Sequence, residues 1–176
     1  ELHRQHRLRD KLLICIFLDR VLAPWWIEFA EGRIVNAHSA VLPHARGMFA
    51  LEQVAASGDI DRFRRCAGAT VHFVDEGVDT GPIIRAERFA NPFVFESIYD
   101  CKAASYLLAF DLLVGVVRDL LLRPDTVPAG IVQSRAADRD FHSSEFDERR
   151  RLAAAEGYLL MKHRAGPQRS GARATI

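Results

Sequence analysis

Residues 12–18 read LLICIFL, an unbroken apolar run directly after the charged opening ELHRQHRLRDK. A strand with one face in water alternates apolar and polar residues. A continuous run instead fits a strand buried on both faces, as in a parallel sheet covered by helices above and below. The fold class that follows is α/β: a Rossmann-like, mainly parallel sheet with helices on both faces. Such a fold normally opens with strand, glycine-rich turn and helix. This chain passes from HRQHRLRDK straight into the strand, so the expectation is a fold lacking its first βα units.

Working outward, Pro24 can open a helical turn through Trp25, Trp26 and Phe29, with Gly32 stopping it before a short apolar stretch at Ile34 and Val35. Residues 48–57 carry apolar side chains at helical spacing (Met48, Leu51, Val54, Ala55) and end at Gly58. TVHFV (70–74) and PIIRA (82–86) read as two strands around the acidic turn DEGVDTG. Residues 97–122 form the clearest helix, with Ser97 as N-cap and Pro124 beyond its end. From Val132 the composition turns polar, and residues 163–176 hold too little apolar content to pack. The expected organisation is therefore one folded domain over residues 1–162 and a flexible tail over 163–176.

The bulk numbers set outer limits. A chain of 176 residues with 49% hydrophobic and 27% charged content can bury one real core. Lys and Arg total 24 against 23 Asp and Glu, so a net charge of +1 offers no bulk attraction to nucleic acid or to an anionic membrane. No apolar run reaches the roughly 18–20 residues that span a bilayer. Cys15, Cys66 and Cys101 are odd in number and form no CxxC pair, which fits a reducing cytoplasm.

Three polar residues stand in apolar or turn-like surroundings: Asn36 and His38 just past one strand, and Asp79 in the turn after another. In open α/β sheets such positions converge where ligands bind. An amide donor, an imidazole near neutrality and a carboxylate are what acyl transfer needs when no side chain acts as nucleophile, and no GxSxG elbow is present. Taken alone, an NxH pair is more often a loop cap and a satisfied histidine, and Asp before Thr-Gly is more often a turn residue. His38, His44, His72 and Asp79 lack HxH or HExxH spacing, so no metal is expected.

The segments IVNAHSAVLP (34–43), RG (46–47) and GATVHFVDEGVDTGPII (68–84) resemble the signature of folate-dependent formyltransferases, which use 10-formyltetrahydrofolate. Two motifs at a compatible separation are far more specific than either alone. The resemblance implies catalytic roles for Asn36, His38 and Asp79. An acceptor amine would attack the formyl carbon directly, Asn36 and a protonated His38 would hold the developing oxyanion, and Asp79 would help move the amine proton. It also implies a folate pocket walled by Arg20 and Leu22 and by the loop of Val74, Asp75, Glu76, Gly77 and Val78. His72 and Gly47 would support, and the Leu42–Pro43 bond would be cis. The chain departs from the family pattern at Ser39, where a proline is usual, and in DIDRFRRCA, which looks like an insertion on the acceptor side.

The polar substrate contacts of purine-pathway relatives would fall near Cys101, Ala103 and Tyr106, which cannot reproduce those bonds, and the C-terminal segment is too short for a tRNA-binding barrel. The expected function is formyl transfer from 10-formyltetrahydrofolate to a primary amine of a small metabolite such as an amino sugar. The implied partners are that small-molecule amine acceptor, no nucleic acid and no membrane, with a homodimer allowed. Two alternatives stand beside it: a formyltetrahydrofolate deformylase, with water replacing the amine, and a non-catalytic truncated folate-binding fragment.

Overall fold

A computed structural model describes residues 20–123, 128–134 and 140–166 in full, and residues 13–16 and 174–175 by their backbone. The elements in order are β1 (Leu13–Ile16), α1 (Pro24–Phe29), β2 (Ile34–His38), α2 (Ala50–Ser57), α3 (Ile60–Cys66), β3 (Gly68–Phe73), β4 (Ile83–Arg88), α4 (Ile98–Leu122), α5 (Glu148–Ala165) and β5 (Ala174–Thr175).

Most boundaries follow local chemistry. Pro24 opens α1, whose exit runs through left-handed Glu31 and Gly32. Left-handed Gly58 ends α2. Ser97 and Asp100 form a reciprocal capping box at the start of α4. The stretch DIDRFRRCA, read as an insertion, folds as α3, with the Asp59 side chain accepting from the Arg62 N–H as its N-cap. The run 12–18 contributes β1, while Leu12, Phe17 and Leu18 lie outside the described residues, as does Pro124.

The strands lie in the order β1-β2-β3-β4-β5. Here the structure corrects the expectation of a mainly parallel sheet: among the described strands β1–β2 is parallel, whereas β2–β3, β3–β4 and β4–β5 are antiparallel. The reason lies in the connections. A parallel return needs a helix crossing a sheet face, but α2 packs chiefly on α5, and the turn after β3 is short enough to demand a hairpin.

α4 covers one sheet face, where Val35, Ala37, Ala69 and Val71 meet Leu108, Ala109, Leu112, Leu113 and Val116. The first turn of α4 joins a second core: Ile98 and Cys101 pack with Leu51, Val54, Phe63, Tyr158 and Met161 from α2, α3 and α5. α5 runs to Ala165 with Lys162, His163 and Arg164 in its last turn, where cations favour the helix dipole. The helix therefore continues into the stretch expected to be a tail, and Ala174–Thr175 pairs with β4. No helix among the described residues is long and apolar enough to cross a membrane.

Candidate active site

The antiparallel register of β2 and β3 builds the site. It sets Asn36 directly opposite His72 and His38 opposite Thr70, on the face turned away from α4. Asn36 Nδ2 lies 3.4 Å from His72 Nε2. Thr70 Oγ1 donates to the Ala40 carbonyl at 2.9 Å and accepts from the Leu42 N–H at 3.0 Å, pinning the loop that carries the cis Leu42–Pro43 bond. Opposite Val71 and His72, β4 holds one extra residue, a bulge of the kind that re-aims side chains beside functional sites.

Both imidazoles have one nitrogen tied to a carbonyl. His38 Nε2–H donates to Ala45 O at 2.9 Å, and His72 Nδ1–H donates to Phe73 O at 2.7 Å. Since a carbonyl only accepts, these bonds fix the tautomers of the neutral rings and leave lone pairs on His38 Nδ1 and His72 Nε2. Asp79 stands between those two atoms, with Oδ2 at 3.4 Å from His38 Nδ1 and Oδ1 at 3.4 Å from His72 Nε2. Its Oδ2 also accepts from the Gly47 N–H at 2.8 Å. Asp79 has φ 51°, a left-handed conformation that costs a non-glycine residue and recurs at functional sites.

Burial pushes the His38 imidazole below its usual range. The Asp79 carboxylate pulls the other way without prevailing, and His72 and Lys102 add to the lowering. The lowering favours the neutral form of the His38 ring before substrate binds. Burial alone would raise the Asp79 carboxyl, but His38, His72 and the Gly47 N–H together hold it well below the usual carboxylate range. Asn36 is buried and its Oδ1 has no hydrogen-bond partner among the described residues.

These groups line a cavity of about 240 Å³. Of the residues expected around the folate, Arg20, Leu22, Val74, Asp75, Gly77 and Val78 line it too, as does Gly47, expected to support, while Glu76 is exposed and is not part of the lining. Asp75 is occupied in shaping the turn: its Oδ1 accepts from Gly77 N–H at 3.1 Å and from Thr80 Oγ1–H at 2.6 Å. Gly47 sits where its backbone passes closely, since a Cβ there would fall 2.1 Å from Phe141 O. Trp25 and Trp26 stack on each other and stay out of the lining.

Sequence reasoning missed several lining groups. Lys102 reaches the cavity from α4, its Nζ 3.2 Å from Glu52 Oε2 and 5.1 Å from the Tyr106 ring centroid. Phe141, His142 and Ser143 arrive from the polar C-terminal stretch, held by Phe141 N–H to Arg46 O and Met48 N–H to Phe141 O. The available signal for Lys102 was a lone lysine in the otherwise largely apolar helix 98–122; nothing local marks 141–143.

A family profile for formyl transferases matches residues 3–90. Phosphoribosylglycinamide formyltransferase of Bacillus subtilis is 40% identical over 81 residues, covering 46% of this chain and 39% of that protein. The trifunctional purine biosynthetic protein adenosine-3 of Drosophila melanogaster is 41% identical over 85 residues, covering 48% of this chain. The chain spans only 6% of that protein's length. Among solved structures, the N-formyltransferase of Helicobacter canadensis, in complex with folinic acid and dTDP-3-aminofucose, superposes with a TM-score of 0.64 at 17% identity. That match covers 84% of this chain and 51% of the other, so the formyltransferase fold is shared beyond the segment that sequence alone aligns. The profile match takes in half the chain and includes Asn36, His38, His72 and Asp79, and on that ground the chain belongs to the formyl transferase family.

Proposed function

We propose that the chain carries the catalytic centre for formyl transfer from 10-formyltetrahydrofolate to the primary amine of a small metabolite, with an amino sugar as the favoured acceptor. The observation that carries the reading is the Asp79 carboxylate set 3.4 Å from one ring nitrogen of each of His38 and His72, beside the buried Asn36 amide. A proton arriving at His38 Nδ1 or His72 Nε2 would complete an ion pair already laid out. The cluster is thus an acceptor for the proton that an attacking amine must shed. The 3.4 Å separations are long for hydrogen bonds and would tighten as that proton arrives.

The residues fit the folate co-substrate. Val74, Asp75, Gly77 and Val78 of the turn line the cavity, with Leu22 and Arg20 alongside, and this polar and apolar mix suits a planar ring edged with donors and acceptors. When bound, 10-formyltetrahydrofolate supplies the formyl carbon and a nitrogen leaving group. The chain's own groups then act in three ways. Asn36 Nδ2 has a second N–H for the oxygen on which charge develops. The cluster around Asp79 takes the proton from the attacking amine and returns it to the departing nitrogen. Lys102, with donors beyond its Glu52 contact, suits an acceptor rich in hydroxyl oxygens. No metal enters the scheme. The buried thiols of Cys66 and Cys101 are in keeping with a reducing, cytoplasmic setting.

The test is tetrahydrofolate release from 10-formyltetrahydrofolate, followed optically without acceptor and then with amino sugars and other small amines. Amine-dependent release is expected. Amine-independent release accompanied by formate would replace the transferase with a deformylase, and no release under any condition would overturn the catalytic reading.

A further inference from the structure

In the segment after α4, Ile131 and Val132 are 73% and 80% exposed, while the next residue, Gln133, is 8% exposed. Two apolar side chains in water beside a buried amide invert the usual preference, so Gln133 is inside for its hydrogen bonds rather than for its bulk. Ile131 exchanges both backbone hydrogen bonds with Ile83 of β4, at 2.8 and 2.7 Å, and this lays the segment beside the turn that carries Asp79. Gln133 Nε2 donates to Asp79 O at 2.9 Å and to Gly81 O at 2.6 Å. Its Oε1 accepts from Arg46 Nη2 at 3.2 Å, and the same Nη2 donates to Ser134 O at 3.2 Å. The amide orientation is fixed by chemistry, because carbonyls only accept and a guanidinium only donates.

We infer that Gln133, backed by buried Arg46, is a positioning residue that holds Asp79 in its left-handed conformation and so keeps the carboxylate between His38 and His72. The two grips on Asp79 share one origin. Arg46 reaches its backbone carbonyl through Gln133, while the next residue, Gly47, donates directly to its carboxylate. Gln133 brackets the strained residue by taking the carbonyls of positions 79 and 81 together. Without that clamp the Asp79 backbone can relax to a less strained conformation, which swings its carboxylate away from the imidazoles.

The inference rests on the catalytic reading of Asp79 only for its effect on turnover, so the decisive readout is independent of activity. His38 is faced by Asp79, His72 and Lys102, and of these Asp79 alone favours its protonated form. The ring titration of His38, followed by NMR in the whole chain, therefore reports where the carboxylate sits. Gln133→Met should move the His38 midpoint down, in the same direction as Asp79→Asn, and should move it little further when combined with Asp79→Asn. Gln133→Glu, which sets an oxygen against two carbonyls, should act alike. Arg46→Lys, which leaves Gln133 in place, should give a smaller shift and serves if the Gln133 variants do not fold. In turnover, Gln133→Met should lose about tenfold or more in the wild-type background and less than about twofold beside Asp79→Asn. A His38 midpoint unchanged in folded Gln133 variants, with only thermal stability lowered, would overturn the inference and reduce Gln133 to a packing residue. If no tetrahydrofolate is released even by the wild-type chain, the catalytic reading fails while the titration still decides this one.

Discussion

At the scale of single residues, the chemistry concentrates on a carboxylate held below its usual range between two imidazoles and a backbone N–H. Asp79 gains its position from a backbone N–H, two rings and a strained φ, and no one of these is visible at position 79 itself. Asp79→Asn keeps the shape and removes the proton handling. Turnover should fall by roughly 10²-fold or more while folate affinity stays within about threefold, measured by steady-state kinetics beside equilibrium binding; undiminished turnover would refute the assigned role. Lys102 and Glu52 form a second charged pair, with both side chains nearly inaccessible to water. Lys102→Met strands the Glu52 charge and should cost about 3 kcal/mol in chemical denaturation. Adding Glu52→Gln should restore more than half of that, because the cost comes from the uncompensated charge. Equal instability in single and double variants would show that Lys102 matters for packing alone.

At the scale of elements, local rules and tertiary contacts sometimes give opposite signs. Gly157 lies inside α5, where alanine would be the better helix former by about 1 kcal/mol. A Cβ at that position would fall 2.1 Å from Ala55 O on α2, at a crossing of small residues that also uses Ala154. Gly157→Ala is therefore expected to lower stability by about 1–3 kcal/mol in thermal or chemical denaturation, and a gain in stability would mean that α2 and α5 can separate without cost. The capping box of α4 shows the opposite case, where Ser97 and Asp100 do what their spacing implies. The helices were legible for that reason. Pro24, Ser97, Gly58 and apolar spacing act within a turn or two of chain, whereas α3 escaped notice because a seven-residue helix shows too little periodicity and its Asp59 cap was read as part of an insertion.

At the scale of the whole molecule, stability is coupled to pH through the same site. The folded value of His38 lies below its unfolded value of about 6.5. As pH falls through about 6.5 the unfolded chain takes up a proton that the folded chain refuses, so stability drops until pH reaches the folded value. Asp79 has a depressed folded value, so its contribution is complete above the unfolded carboxylate value of about 3.9 and is lost as pH falls towards the folded one. Both terms have the same sign. Denaturation midpoints should decline from pH 7.5 to pH 5 and again below about pH 4. His38→Asn should flatten the upper slope and Asp79→Asn the lower; slopes unchanged by these substitutions would place the acid sensitivity elsewhere.

The sequence by itself determined the local pieces: an apolar run that becomes β1, caps and breakers that bound the helices, and two motifs whose Asn36, His38, His72 and Asp79 meet at one cavity. Those features depend on residue type and short spacing, and such information is complete within a few residues of chain. Tertiary structure decided the rest. The antiparallel register of β2 and β3 sets Asn36 against His72, and a slip of one residue would have sent His72 to the α4 face. Gln133 and Phe141 come from separate segments with nothing local to mark them, and the partners of Arg46 and Lys102 lie far along the chain. They converge because buried charges and amides must find partners wherever the chain can bring them, and that condition is met only across the folded molecule.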